Sequence, residues 1–117
     1  MAHDQYKLDL HEMRAAAVRA CALLKTLGNP DRLLLLCQMT QGEFCVGELE
    51  SMLGIQQPTL SQQLGVLREE TLVNTRREGK QIYYSLASEE ATAVMKVLYE
   101  QFCLKAAPQA PGAGNDD

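Results

Sequence analysis

The sequence predicts a mainly α-helical domain of the winged helix-turn-helix class, with a two-stranded β-hairpin as the wing and the order α-α-α-α-β-β-α. Three observations predict this class. Apolar residues recur at helical spacing over most of the chain. A short turn at Gly54 separates two amphipathic helices, as in a helix-turn-helix. Residues 73–86 change to the alternating, β-branched and aromatic pattern of a hairpin.

Composition limits the class of protein. A chain of 117 residues, 46% of them hydrophobic, suits one domain with a modest core. No run of about 18 apolar residues predicts a membrane span, and the N-terminus lacks a signal-peptide pattern. We therefore expect a cytoplasmic protein whose four cysteines start as thiols. Residues 1–7 are expected to be flexible, residues 8–105 to form the domain, and the Pro/Gly/Ala-rich residues 106–117 to be a disordered tail.

Capping residues predict the first two helices. The first helix is expected over residues 8–27 and ends at Gly28. Asn29 suits the N-cap of the second helix, and Pro30 suits its first position. Residues 33–37 are apolar nearly all round, which predicts that the second helix is central and buried.

The fourth helix is unusual because residues 56–66 contain no charged side chain. Pro58 is expected at its first position, and Leu60, Leu64 and Leu67 form its apolar stripe. The opposite face is rich in amides and hydroxyls, which donate and accept at base edges in a major groove without repelling phosphate. We interpret this helix as a DNA-recognition helix. The plain alternative is two ordinary packed helices with glutamines in solvent.

Basic residues concentrate near this helix. The net charge of the chain is −4, but residues 55–85 contain four basic and three acidic side chains. The hairpin is predicted over residues 73–77 and 81–86, with its turn at Glu78-Gly79. The predicted DNA-binding residues are Thr59, Ser61, Gln62 and Gln63 for bases, Arg68, Arg76, Arg77 and Lys80 for the backbone, and Gln56 and Gln57 beside them.

The first and last helices carry apolar stripes that a small core cannot cover. Ser88 is the predicted N-cap of the last helix, whose stripe runs from Ala91 to Phe102. We therefore expect a homodimer formed through the first and last helices. Two-fold symmetry then predicts an inverted-repeat operator in double-stranded DNA.

Four stretches of sequence resemble the ArsR/SmtB family of winged-helix repressors, over roughly residues 12–104. They are LLKTLGNPDRLLLL, FCVGELE, PTLSQQLGVLR and GKQIYYSL. The resemblance implies a DNA-binding transcriptional repressor. We find no paired nucleophile and base, no phosphate-binding loop and no pair of acids in a plausible pocket, so we expect neither an enzyme nor a cofactor. Gln63 departs from the pattern, because many family members carry histidine there.

Within the family, the chain is most similar to the sulfide- and persulfide-responsive branch typified by BigR, SqrR and HlyU. Cys37 after the leucine run and Cys103 after Phe102 match the sensor pair of that branch. The resemblance implies operator binding by the thiols, and release when reactive sulfur species link them through a di- or polysulfide bridge. A polysulfide tolerates a wider gap than a disulfide, which favours persulfide over peroxide. From spacing alone, both cysteines could equally be small buried hydrophobes.

Other inducers stay open at this point. The same thiols could sense peroxide, or a composite site of Cys37, Cys45 and Cys103 could bind a metalloid or heavy metal. Gly47 stands where arsenic- and cadmium-sensing relatives have a second thiolate, and a lone thiol is a poor site for a soft ion. Zinc at the last helix is disfavoured, because both histidines lie within the first 11 residues. A third interpretation is that the helix-turn-helix contacts another protein rather than DNA. In that case the protein would show no salt-dependent affinity for DNA.

Overall fold

The computed structural model describes residues 9–105. The predicted flexible residues 1–7 and the predicted tail at residues 106–117 lie outside the described residues. The elements are α1 (Leu10–Leu27), α2 (Pro30–Met39), β1 (Phe44–Cys45), α3 (Val46–Leu53), α4 (Thr59–Glu69), β2 (Val73–Glu78), β3 (Gln81–Leu86), α5 (Glu89–Leu98) and a π-helical segment (Tyr99–Leu104).

Polar side chains begin the helices at the predicted positions. The side-chain oxygen of Asn29 accepts a hydrogen bond from the N–H of Arg32 at 3.0 Å, which starts α2. The hydroxyl of Ser88 accepts one from the N–H of Ala91 at 3.0 Å, which starts α5. α1 begins slightly later than predicted, because Asp9 serves as its N-cap. Each cap pairs an N–H that has no partner within its helix.

The core forms around α2, which packs against α1, α3 and α4. Leu35 and Leu36 of α2 join Leu49 of α3 and Leu60 of α4 in one cluster, and all four are 0% exposed. Burying such a side chain contributes about 1.5–3 kcal/mol of transfer free energy. The expectation that α2 is buried all round is wrong on one side, because Leu34 is 45% exposed.

The predicted hairpin belongs to a three-stranded antiparallel sheet of order β1-β3-β2, where only two strands were predicted. The additional strand, β1, pairs Phe44 with Tyr84 and Cys45 with Tyr83. A two-residue strand is too short to show alternation, so only its pairing with β3 reveals it. The strand fixes the start of α3 against the wing.

The hairpin turn lies at Gly79 and Lys80, one residue after the predicted Glu78-Gly79 turn. Glu78 is still paired, with Gln81, so β2 extends to Glu78. Gly79 has a φ of 63°, a left-handed conformation that glycine adopts without strain at the first position of a two-residue loop.

The last helix changes geometry near its C-terminal end, where a single regular helix was predicted. Regular α-helix ends at Leu98, and residues 99–104 form a π-helical segment with a wider turn. Met95 points into the core and is 1% exposed, whereas Phe102 is 70% exposed. Within residues 9–105, no helix combines the length and apolar character needed to cross a membrane.

Candidate nucleic-acid interface and thiol pair

The turn between α3 and α4 has the predicted glycine geometry. Gly54 has a φ of 72° and donates its N–H to the carbonyl of Glu50 at 2.9 Å, which ends α3. Ile55 follows and is only 6% exposed, so it packs under the turn. Pro58 lies at the N-cap of α4, one residue before the helical position predicted for it. The helix-turn-helix is therefore present, with α4 as its second helix.

α4 buries its leucines and exposes most of its polar face. Leu60, Leu64 and Leu67 are buried, as the apolar stripe predicts. Among the predicted base-contacting residues, Thr59 and Gln63 are half-buried. The remaining side chains of this group are exposed, namely Gln56, Gln57, Ser61 and Gln62. An accessible, uncharged face of hydrogen-bonding side chains is suited to contact base edges.

Two of these glutamines have partners within the chain. The Oε1 atom of Gln57 accepts a hydrogen bond from the N–H of Ser61 at 3.1 Å, so Gln57 pairs an unsatisfied donor in the first turn of α4. The Oε1 atom of Gln63 accepts one from Nη1 of Arg32 at 2.9 Å. Both side chains are thus oriented by the protein itself.

Arg32 was not predicted as a functional residue. Its Nε donates to the carbonyl of Thr26 at 2.7 Å, and its Nη2 donates to the carbonyl of Lys25 at 3.4 Å. These carbonyls belong to the last turn of α1, where carbonyls lack helical partners and a cation is favourable. The available signal in the sequence was a single basic side chain among the leucines of α2.

The predicted basic residues of the wing differ in their availability. Arg76 forms ion pairs with Glu78 at 2.7 Å and with Glu43 at 2.9 Å, and its guanidinium lies 4.8 Å from the ring centroid of Tyr83. The hydrogen bonds that Arg76 donates to Glu78 and Glu43 raise its pKa. Two carboxylates therefore already neutralise this cation. The other predicted cations, Arg68, Arg77 and Lys80, are exposed.

The structure brings the predicted thiol pair into one neighbourhood. Cys37 lies near the end of α2, and its Sγ is 3.8 Å from the Sδ of Met95 on α5. Cys103 is exposed within the π-helical segment that continues α5. Burial and, second, the negative charge of the Cys103 thiolate raise the pKa of Cys37. The charge of Cys103 therefore reaches the environment of Cys37.

The other two cysteines have different surroundings. Cys45 is buried at the start of α3, where its N–H donates to Oε1 of Glu48 at 2.9 Å. Over residues 9–105, no three His, Cys, Asp or Glu side chains are grouped so that they could hold a metal ion. The alternative site of Cys37, Cys45 and Cys103 is thus not assembled in this conformation. Cys21 lies on α1 and is exposed.

A helix-turn-helix with an accessible polar second helix and a basic β-hairpin beside it defines a DNA-binding regulator of the winged-helix class. The profile of the bacterial regulatory proteins of the arsR family matches residues 29–75, which include α2, α3 and α4. The chain belongs to the ArsR family of bacterial regulatory proteins. Members of this family are transcriptional regulators and not enzymes.

Individual relatives confirm the family and the predicted branch. The chain is 55% identical over 100 residues to the biofilm growth-associated repressor of Agrobacterium fabrum, covering 86% of both chains. It is 41% identical over 96 residues to the transcriptional activator HlyU of Vibrio cholerae, covering 82% of this chain and 89% of that one.

Solved structures agree with this assignment. The transcriptional repressor BigR from Xylella fastidiosa has a TM-score of 0.76 at 51% identity, covering 82% of this chain and 98% of that chain. Reduced HlyU from Vibrio cholerae has a TM-score of 0.77 at 41% identity, covering 80% of this chain and 99% of that chain. The winged helix-turn-helix prediction and the resemblance to the BigR and HlyU branch are therefore confirmed.

Proposed function

We propose that this chain is a cytoplasmic, homodimeric transcriptional repressor, released from its operator when reactive sulfur species link Cys37 to Cys103. The position of the two thiols is the observation that supports this proposal. Cys37 lies on α2, which packs directly against the recognition helix α4. Cys103 lies on the last helix, close enough for its charge to raise the pKa of Cys37. A bond between them would act one helix away from the DNA-binding face.

The direction of regulation follows from the relatives. The relative from Agrobacterium fabrum, at 55% identity, is named a repressor. HlyU, at 41% identity, is named an activator. We assign repression because it is the name of the more similar of these two proteins.

The apolar surface of the protomer supports a homodimer. Large apolar side chains on α1 and near the C-terminal end of the last helix are between 51% and 70% exposed. They are Leu10, Met13, Val18, Leu24, Val97, Tyr99, Phe102 and Leu104. Large apolar side chains exposed in this number on two helices are typical of an interface. A two-fold dimer presents two copies of α4 to half-sites separated by one or more helical turns of DNA, about 34 Å each.

The DNA contacts divide into two groups. Thr59, Ser61, Gln62 and Gln63 contact base edges in the major groove, flanked by Gln56 and Gln57. Arg68, Arg77 and Lys80 contact phosphates, with Arg76 contributing less because it is paired with Glu43 and Glu78. These contacts fix the register of the dimer on the operator and read its sequence.

The thiol chemistry balances with a hydropersulfide, RSSH, as the sulfur donor. Each cysteine thiolate takes the outer sulfur of one RSSH and releases RS⁻, which leaves a protein persulfide. The terminal sulfur of the Cys37 persulfide then attacks the inner sulfur of the Cys103 persulfide. This step expels hydrosulfide, HS⁻, and leaves a trisulfide between the two residues. The exposed Cys103 reacts first, because the raised pKa of Cys37 lowers its thiolate fraction.

The trisulfide between Cys37 and Cys103 would affect DNA binding through α2. The trisulfide constrains the end of α2 against the last helix, and both elements contact the core that supports α4. A coupling free energy of about 1–3 kcal/mol changes DNA affinity about 5–150-fold, which is sufficient for a regulatory switch.

The experiment is a fluorescence-anisotropy titration of a duplex selected by the reduced protein, repeated after treatment with persulfide, peroxide or arsenite. We expect persulfide to weaken binding at least fivefold and to produce the mass of a Cys37–Cys103 trisulfide. Loss of binding with arsenite alone would contradict the sulfur assignment and favour the metalloid alternative. Loss with peroxide alone would favour a general redox sensor.

Matched cysteine variants separate the sensor from the other thiols. Cys37→Ser and Cys103→Ser are each expected to bind DNA in the reduced state and to keep that affinity after persulfide treatment. Cys21→Ser, at an exposed cysteine of α1, is expected to respond like the wild type. A Cys37→Ser protein that still releases DNA on persulfide treatment would show that the dithiol assignment is wrong.

A further inference from the structure

The guanidinium of Arg32 joins three helices at one point. It belongs to α2, it donates to the carbonyls of Lys25 and Thr26 at the end of α1, and it donates to Gln63 on α4. The bond to Gln63 is 2.9 Å long and partly buried. The dimerisation helix, the helix of the sensor thiol and the recognition helix thus share one side chain.

This contact determines which way the amide of Gln63 faces. Arginine carries only N–H donors, so the Gln63 atom that faces Arg32 must be the carbonyl oxygen. The NH₂ group, attached to the same planar carbon, then points away from Arg32. A free glutamine offers a donor and an acceptor together, but the oxygen of Gln63 is held by Arg32.

We propose that Arg32 is a positioning residue for sequence recognition, which holds Gln63 so that its amide NH₂ faces the major groove as a hydrogen-bond donor. The inference rests on the proposed function, in which Gln63 contacts a base. Arg32 itself acts from inside the protein, on the side of Gln63 that faces α1 and α2.

The orientation has a consequence for the base that is selected. A donor matches O6 or N7 of guanine and O4 of thymine. It matches N7 of adenine less well, because the neighbouring N6 amino group of adenine is itself a donor. Cytosine presents its N4 amino group in the major groove, which is also a donor, and is therefore rejected. The two-point contact of glutamine with adenine needs the amide oxygen to accept from N6, and here Arg32 holds that oxygen. Gln63 is thus expected to select guanine or thymine on the strand that it contacts.

The test begins with the reduced, full-length protein and a random-sequence duplex DNA library. The enriched duplex is then varied to each base pair at every position, and affinities are measured by fluorescence anisotropy. Gln63→Ala identifies the position that Gln63 reads, because discrimination falls there by about fivefold, the value of one hydrogen bond. Wild-type protein that enriches no sequence would overturn the proposed function, and this inference with it.

Arg32→Met then tests the inference itself. We expect it to remove the same discrimination at the same position, and to have no further effect on base preference in the Gln63→Ala background. Arg68→Met serves as the matched control, because loss of a phosphate contact lowers affinity for all sequences alike. If Arg32→Met instead lowers the affinity for all sequences alike, as Arg68→Met does, and leaves base discrimination unchanged, Arg32 has only a structural role and the inference is overturned.

Two substitutions of Gln63 decide the question even if Arg32→Met does not fold. Neutral histidine can accept from Arg32 with one ring nitrogen and donate with the other, so Gln63→His is expected to keep the preference for guanine or thymine. Glutamate has only acceptors, so Gln63→Glu is expected to lose that preference in favour of a base that presents an amino group. A Gln63→Glu protein with the wild-type preference would overturn the inference.

Discussion

The thiol of Cys37 lies 3.8 Å from the thioether sulfur of Met95, a core side chain of α5 that is 1% exposed. Cys37 is exposed overall, but its sulfur contacts the core on the side of Met95. Burial removes water that would stabilise a thiolate, and it is the main cause of the raised pKa of Cys37. The contact with Met95 therefore contributes to an environment that disfavours the thiolate of Cys37.

The pH dependence of alkylation tests this environment. Because its pKa is raised, Cys37 is expected to react with iodoacetamide more slowly at pH 7 than exposed Cys21, with its rate rising at higher pH. Cys103→Ser removes the negative charge that is the second cause of the raised pKa of Cys37, so the pH profile of the Cys37 alkylation rate should move to lower pH. Peptide mass spectrometry at a series of pH values measures both effects. If Cys103→Ser leaves the pH profile of Cys37 unchanged, the charge of Cys103 does not affect Cys37.

Two glycines test the helix-turn-helix geometry in opposite directions. Gly54→Ala is expected to lower the free energy of unfolding by about 1–2 kcal/mol, because its φ is 72° and a Cβ disfavours that conformation. Gly65→Ala lies within α4 with no atom within 4 Å of the added Cβ, so it should raise stability by up to about 1 kcal/mol. Urea unfolding of the reduced variants, all at the same protein concentration, measures both changes in the free energy of unfolding. Equal effects of the two substitutions would contradict the turn geometry.

The salt dependence of operator affinity tests the wing. Arg77→Ala and Lys80→Ala are each expected to reduce the slope of log K against log salt concentration by about 2, because each of the two subunits loses one cation that releases counterions from a phosphate. Arg76→Ala should change the slope less, since Glu43 and Glu78 already pair with this guanidinium. Anisotropy titrations at several salt concentrations measure the slopes. An equal reduction for Arg76→Ala would show that its ion pairs open on binding.

The apolar face of α1 predicts the oligomeric state. Met13 is 51% exposed in the protomer and lies on the α1 stripe, so Met13→Glu places a charge in the proposed interface. We expect this variant to sediment as a monomer, with wild-type helix content by circular dichroism and weakened operator binding. Gln41→Glu, at an exposed position between α2 and β1, is the control and should remain a dimer. A dimeric Met13→Glu protein would move the interface away from this face of α1.

The residues that cap helices were predictable because their effect is local. Asn29, Ser88 and Gly54 act on backbone groups within a few residues, and the structure places each at the predicted helix end. The leucine stripe of α4 was equally predictable from its period. Strand β1 was not, since a two-residue strand depends on its partner β3, far away in the chain. The shift from α-helix to π-helix after Leu98 also had no local signal.

The sequence by itself determined the order of the α-helices and the hairpin, the polar recognition helix and the basic residues of the wing, because periodicity and turn chemistry are local properties of the chain. The tertiary structure alone decided the partners of the long polar side chains. It places Arg32 in a hydrogen bond with Gln63. It also pairs Arg76 with Glu43, so that Arg76 is less available for phosphate than the other cations of the wing. These contacts join residues more than 30 positions apart, and only the packing of helices and strands decides which distant groups come within hydrogen-bonding distance.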